Sequence, residues 1–358
     1  MVEVERLEST KPLFKESKMN EIEEKRVTCV STCDNFHILR GDHCVLPWTK
    51  ALMLQASGSI KILDDITPLK KQTLDENYLF RSAFSKRPMT RVIWIQNYNK
   101  NGGAEISNFN CVAIGRNLGF DVVGLVINEN FSTRILKQAD VIIVNNLHDS
   151  GKEVILDYLN RTTIPWIKYE HDLTETEVDL YRKSKLNVFI SPMQQEFYTK
   201  KCSGIMSESV CLPLAINPDR WVYKQNSREP RSVFIPAYFK CIKNADKFIK
   251  DNPDKRFYVA GDIMPHEYHN VTRVGGIDYK SMPALYHRYE TVWHMPDHYF
   301  AGDRIIFEAI LSGCKLISSD RAGHMSWKFD LNDQVILRKK LKTAIYDFWR
   351  CVEKVCNQ

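Results

Sequence analysis

The sequence predicts an α/β protein in which two Rossmann-like domains face a cleft, preceded by a small N-terminal α+β module. Three observations lead there. From residue 91 onward, short apolar runs of strand length alternate with segments of helical spacing, the pattern of a parallel sheet covered on both faces. The runs form two series joined near Asn217 to Asn226. Finally, 358 residues exceed what one ordinary core holds, so two packed domains and an appendage are expected.

Taken in order, residues 1–25 are charged and without periodicity, a loose or partly helical arm. Residues 26–64 read as a compact module. It has a strand at Val27–Ser31, a turn at Gly41-Asp42, helical spacing over Trp48–Gln55 and a closing strand at Ser59–Leu63. The module has no acid–base or phosphate motif, so accessory packing or acceptor binding is its expected role. Pro68, Pro88 and several basic residues mark a linker over residues 65–88. The first series of buried strands covers Arg91–Gln96, Asp121–Ile127, Val141–Asn145, Trp166–Tyr169 and Val188–Ser191. The second covers Ser232–Pro236, Arg256–Gly261, Val271–Val274, Thr291–Met295 and Lys315–Ser318. A last helical segment, Asp333–Val355, is long enough to return to the first half. The expected domains are therefore residues 1–88, 89–216, 217–332 and a C-terminal helix at 333–358. Ligands of such folds bind where the carboxyl ends of the strands meet the cleft.

Composition excludes several classes. Apolar residues make up 44% and charged residues 26%, values of ordinary globular chains. No apolar run reaches membrane-spanning length, and the first thirty residues lack the apolar core of a signal peptide. A cytoplasmic location is expected, the host cytoplasm if the gene is viral. The ten cysteines are scattered, with Cys111, Cys211 and Cys314 inside apolar stretches, so free buried thiols are expected rather than a disulfide framework. Cys29, Cys33 and Cys44 lie near His37 and His43, but their spacing lacks the close-set pairs of structural zinc sites. The net charge of +6 is compatible with phosphorylated ligands or nucleic acid and demands neither.

The run RIIFEAILSGCKLISSDRAGHMSW, Arg304 to Trp327, resembles the donor-site segment of family 4-like GT-B glycosyltransferases. A helix bearing Glu-Ala and a small Gly leads into a buried strand and a Gly loop. Around Gly302, Asp303 and Arg304 the helix start presents unpaired N–H groups suited to a diphosphate. The resemblance implies that Glu308 accepts from the donor ribose hydroxyls. The family's second glutamate, eight positions earlier and on the transferred sugar, is Phe300 here. Asp297 and Asp303 are the nearby carboxylates that could substitute for it, and each also suits a turn or cap.

Five further matches occur in family order. Asn101-Gly102-Gly103-Ala104-Glu105 resembles the Gly-Gly loop that approaches donor phosphates and acceptor. His171, in Tyr169-Glu170-His171-Asp172, matches the cleft histidine that touches the transferred sugar. Leu212 to Asp219 resembles the interdomain hinge, stiffened by Pro213 and Pro218. Lys240 and Lys243 stand where the family places basic residues against the diphosphate, Lys240 taking the position of its arginine. Gly276, Ile277 and Tyr279 resemble the loop over the nucleotide base. The likeness spans roughly Arg91 to Trp327.

What this resemblance implies is a hexosyl- or pentosyltransferase that uses a nucleotide-sugar and retains anomeric configuration. Its catalytic set would be His171, Gly103, Lys243 and Glu308. No Asp-x-Asp motif occurs, so no metal or other cofactor is expected. The acceptor is left open. A hydroxymethylated DNA base, in a virus-encoded enzyme, stands beside a glycan, lipid or protein hydroxyl. A nucleotide-sugar-binding protein that has lost catalysis is the alternative raised by Phe300.

Overall fold

The computed structural model describes residues 26–31, 43–47, 60–62, 90–96, 103–126, 133–147, 152–174, 177–222, 228–261 and 268–358. Contacts divide the chain into two compact units, residues 1–78 and 79–358. In the first unit, strands β1 (Arg26–Ser31), β2 (His43–Pro47) and β3 (Ile60–Ile62) form an antiparallel sheet in the order β2-β1-β3. Cys29 of β1 faces Cys44 of β2 in register. The expected strands at Val27 and Ser59 are therefore present, and β2 is a strand that periodicity did not single out. The arm, the helix over Trp48–Gln55, the linker, Cys33 and His37 lie outside the described residues.

The second unit contains two parallel sheets. The first comprises β4 (Arg91–Gln96), β5 (Asp121–Val126), β6 (Val141–Val144), β7 (Trp166–Glu170), β8 (Leu186–Phe189) and β9 (Ser209–Cys211). Their order is β5-β4-β6-β7-β8-β9. The second comprises β10 (Glu229–Ile235), β11 (Arg256–Ala260), β12 (Val271–Gly275), β13 (Tyr289–His294) and β14 (Lys315–Ser318), in the order β12-β11-β10-β13-β14. Each order reverses once, between β4 and β6 and between β10 and β13, and such reversals open a crevice at the carboxyl ends of the strands.

Helices follow the strands as the alternation predicts. The first lobe carries α1 (Gly103–Asn117), α2 (Lys152–Arg161), α3 (Val178–Lys183) and α4 (Pro192–Lys201). The second carries α5 (Ile242–Lys250), α6 (Met282–Arg288) and α7 (Arg304–Leu311). Several strand boundaries differ from expectation, and at one of them the cause is visible. The run expected at Val188–Ser191 begins at Leu186 and ends at Phe189, because Ser191 caps α4 by accepting from the Gln194 N–H at 3.2 Å and Pro192 opens it.

Alternation along β4 shows why both faces are buried. Val92 and Trp94 join a core continuous with the second lobe, while Ile93 and Ile95 join a separate cluster with Leu136, Ile142 and Leu159. The final helix α8 (Gln334–Cys356) starts at Asp333, whose carboxylate accepts from the N–H groups of Val335 and Ile336. It closes the shared core. Trp349 of α8 packs on Phe120 at 4.7 Å and donates to the Cys111 carbonyl of α1 at 2.9 Å.

Gly115 of α1 faces that indole so closely that a Cβ would lie 2.0 Å from it. Overpacking of this kind costs about 1–3 kcal/mol, and deleting the indole about 3–5 kcal/mol. Gly115→Ala and Trp349→Ala are both expected to lower the denaturant midpoint of the full chain. A Gly115→Ala protein as stable as the parent would show that α8 is not seated against α1.

Candidate active site

Four segments from the carboxyl ends of the strands converge where the lobes meet. These are the loop after β13 with the start of α7, the start of α1, the turn after β7, and the loop after β14. Arg304, the first residue of α7, is the pivot. Its guanidinium is 7% exposed and reaches three elements. Nε donates to Glu308 Oε1 at 2.9 Å, one turn along α7. Nη1 donates to Ser107 Oγ of α1, in the other lobe, at 2.7 Å. Nη2 donates to the Tyr279 hydroxyl, and the guanidinium also lies over that ring at 5.1 Å.

Glu308 is 2% exposed. Besides Arg304 it accepts from the hydroxyls of Tyr279 at 3.1 Å and Tyr286 at 3.5 Å. Burial lifts its carboxyl above the usual range, against the pull of Arg304 and the Tyr279 hydroxyl. Gly103, the first residue of α1, lies under the arginine stem. A Cβ there would sit 3.4 Å from Arg304 Cδ, an ordinary van der Waals contact.

Asp303 precedes Arg304 and belongs to a second buried set. Burial alone would raise its carboxyl. Lys240, which bonds Oδ1, and His294, 2.7 Å from Oδ2, hold it far below the usual carboxylate range instead. Lys240 comes from the short 3-10 turn Tyr238–Lys240 after β10, so the pair spans the strand-order reversal. Its ammonium also lies 4.6 Å from the ring centroid of Phe300. Phe300 is held by its backbone, which bridges in parallel to Ala322. Asp297, the other candidate carboxylate, accepts from the N–H groups of Lys243 and Asn244 at 3.0 and 3.1 Å and so caps α5.

His171 stands at the end of β7. Its backbone N–H donates to Glu170 Oε1 at 3.0 Å, and Glu170 is itself fixed by Lys168 at 2.8 Å and by the Tyr181 hydroxyl at 2.6 Å. A buried polar chain, Gln96 to Asn108 to Asn145, runs beside it, and the adjoining Asn146 side chain accepts from the His171 N–H at 3.2 Å. The imidazole is 6% exposed, and its Nε2 has no hydrogen-bond partner.

His324, from the turn Gly323–Ser326, is its counterpart in the second lobe. Its Nδ1 lies 2.9 Å from the Asp303 carbonyl, which only accepts, so Nδ1 carries the proton and Nε2 is a bare acceptor. That Nε2 also lacks a partner. It lies against Gly302, where a Cβ would meet it at 2.3 Å. Burial is the main cause that lowers both imidazoles, to about 3 for His171 and about 4 for His324. Both are neutral at pH 7. Ser191 Oγ donates to the Ala301 carbonyl and Ser326 Oγ accepts from the Met193 N–H at 3.0 Å, which closes this part of the seam.

Of the residues singled out from the sequence, Gly103, His171, Lys240, Tyr279, Gly302, Asp303, Arg304 and Glu308 gather within this cluster. Lys243 is exposed at the start of α5, and Gly276 is exposed in the loop after β12. Ile277 packs partly against the shared core beside Tyr279. Gly102 and Asn101 lie outside the described residues. The sequence did not single out Ser107, Ser191, His294, His324 or the Lys168–Glu170 pair. His324 lies within the donor-site run, yet a histidine one residue past a glycine carries no motif of its own.

No protein-family profile matches the chain, and no curated protein is similar to it in sequence. Solved structures are similar in fold. HepE of Anabaena, in complex with UDP and glucose, aligns with a TM-score of 0.56 at 12% identity over 74% of this chain and 100% of that one. A glycosyltransferase from Rickettsia africae aligns with a TM-score of 0.56 at 11% identity over 75% and 99%. HepE in complex with UDP-glucose aligns at 0.51 and 13% identity over 72% and 90%.

The neutral imidazoles set a pH response. An unfolded histidine titrates near 6.5, so between that pH and about 4 the unfolded chain takes up protons that the folded seam refuses, and stability falls with pH. Each histidine contributes a slope approaching about 1.4 kcal/mol per pH unit there. In urea titrations from pH 7 to 5, the stability gap between the parent and His324→Asn should shrink as pH falls; parallel profiles would refute the burial of a neutral ring. The likeness to the solved structures and the two facing parallel sheets together show that the chain has the α/β GT-B fold.

Proposed function

We propose that the chain is a glycosyltransferase whose donor is a nucleoside diphosphate sugar, with UDP as the nucleotide. The observation that carries this reading is the cluster at the start of α7. There a helix N-terminus, a buried guanidinium and a buried carboxylate stand together at the meeting of two strand-order reversals. N–H groups and cations suit a diphosphate, and a carboxylate suits ribose hydroxyls. HepE, of the same fold, was solved with UDP-glucose.

In this reading the bond between the anomeric carbon and the diphosphate oxygen breaks as the acceptor oxygen bonds the same carbon, and the acceptor's proton passes to the departing diphosphate oxygen. Charge grows on the departing UDP, where the α7 amides, Arg304 and exposed Lys243 oppose it. These groups take the place of a divalent ion. His171 is neutral and holds a sugar hydroxyl through its unpartnered Nε2. Transfer of a hexose or pentose proceeds with retention and without a covalent sugar intermediate, because Asp303 and Glu170 are held in ion pairs and Glu308 is engaged by the donor ribose.

The acceptor class that one observation favours is nucleic acid. Phe239 and Tyr299, 56% and 58% exposed, follow the carboxyl ends of β10 and β13, and the Lys240 ammonium lies 5.9 Å from the Phe239 ring. Exposed rings beside lysines suit stacked bases and phosphates, which fits a hydroxymethylated DNA base. Filter binding to duplex DNA should weaken steeply with salt; salt-independent or absent binding would leave a glycan, lipid or protein hydroxyl.

A panel of labelled nucleotide sugars, scored for slow donor hydrolysis with and without EDTA, tests the reading. Hydrolysis of a UDP-sugar should persist in EDTA and fall roughly 10- to 100-fold in Glu308→Gln, since hydrogen bonds to a charged group are worth about 1.5–3 kcal/mol. Lys243→Ala should slow it by a smaller factor. UDP binding without any turnover would mark a donor-binding protein that has lost catalysis, for which Phe300 is the motivating feature. Absence of both binding and turnover would end the proposal.

A further inference from the structure

Three groups that a nucleoside diphosphate would engage already have an internal partner. Glu308 is matched by Arg304, Tyr279 and Tyr286. Lys240 is matched by Asp303. The first N–H groups of α5 are matched by Asp297. The second and third sets can stay as they are when a ligand arrives, but the first cannot. Glu308 is too deeply buried to accept a ribose hydroxyl while Arg304 holds Oε1, and a buried guanidinium released from its carboxylate needs a new anion. A nucleoside alone would satisfy the carboxylate and strand the guanidinium. A phosphate alone would do the reverse. Only a ligand with a diol and an anion at nucleoside diphosphate spacing satisfies both together.

Resting on the donor reading above, we infer that Arg304 and Glu308 form an exchangeable ion pair. The guanidinium passes to the donor diphosphate as the ribose hydroxyls take over the carboxylate, and Arg304, rather than Lys240, is the principal diphosphate cation. Two further observations place Arg304 for this task. It opens α7, so its guanidinium stands at the helix end where the dipole is positive. Its stem lies on Gly103, the start of α1, leaving the guanidinium between the two lobes. His171, at the end of β7 in the first lobe, keeps its buried Nε2 without a partner and is a further polar group near the arginine. Ser107 and Tyr279, which share the arginine, are neutral and lose only one hydrogen bond each in the exchange.

The pair has an experimental signature that a purely structural latch lacks. Titration calorimetry on the full chain, with UDP and with uridine as probes, compares the parent, Arg304→Met and Arg304→Lys. The methionine should weaken UDP by at least about tenfold, the equivalent of one lost charged hydrogen bond. Uridine, freed from competition with the guanidinium, should bind unchanged or tighter. The lysine keeps the charge without the planar fork and should lose a smaller factor for UDP, again with uridine unaffected. If either folded variant loses uridine and UDP by the same factor, or loses neither, the exchange is wrong and Arg304 is only a latch. A melting curve of each variant separates loss of fold from loss of site, and Arg304→Lys carries the test if Arg304→Met does not fold. If the parent binds no UDP, the donor reading fails first, an outcome distinct from either of these.

Discussion

The contact on which the rest of this molecule depends is the buried pair between Arg304 and Glu308. A guanidinium enclosed by protein is tolerated only when it is paired and its remaining N–H groups are satisfied. Here those N–H groups reach Ser107 in the opposite lobe and Tyr279 above the second sheet. The demand for partners therefore ties the start of α7 to the start of α1. The lobes meet there because one charge cannot be left alone, and the crevices of both sheets are brought to one place as a consequence.

Missing side chains let the loops around the start of α7 pack this closely. Gly302 yields room for the His324 ring, and Gly323 for the Ala301 carbonyl and the Ser191 hydroxyl of the first lobe, which a Cβ would meet at 2.0 and 2.6 Å. The bare faces of both glycines are filled by neighbouring elements in the folded chain. The seam is thus a packed interface carrying polar atoms, among them two neutral imidazoles with no partner on Nε2. Buried acceptors left unsatisfied cost stability, and His171 and His324 each carry one beside the Arg304 cluster.

Much of the fold was readable in the sequence because buried parallel strands are apolar on both faces. Arg91–Gln96 and Lys315–Ser318 end where their apolar runs end. The shift at Leu186–Phe189 arose because apolarity continues into Ile190, while the backbone has already turned to let Ser191 and Pro192 begin a helix. Ser209–Cys211 escaped notice because three half-buried residues on an edge have no period to detect. Side-chain partnership was harder. Tyr279 reads as a ring over a base, yet its hydroxyl lies on Glu308. Ser107 is one serine on a helix, and nothing local distinguishes it from a solvated residue. Its role is fixed by Arg304, 197 positions away.

Phe300 follows from the same accounting of charge. In the loop before α7, Lys240 lies against that ring at 4.6 Å and is neutralised by Asp303, itself shared with His294. A carboxylate at position 300 would bring a second negative charge to a lysine already paired, and one of the two acids would be left without a counterion in a largely dry place. The phenylalanine removes that conflict and offers its face to the ammonium, an attraction that needs no further charge. The arrangement keeps α7 anchored through Asp303 and leaves recognition at this end of the cleft to rings, imidazoles and Arg304 instead of a pair of carboxylates.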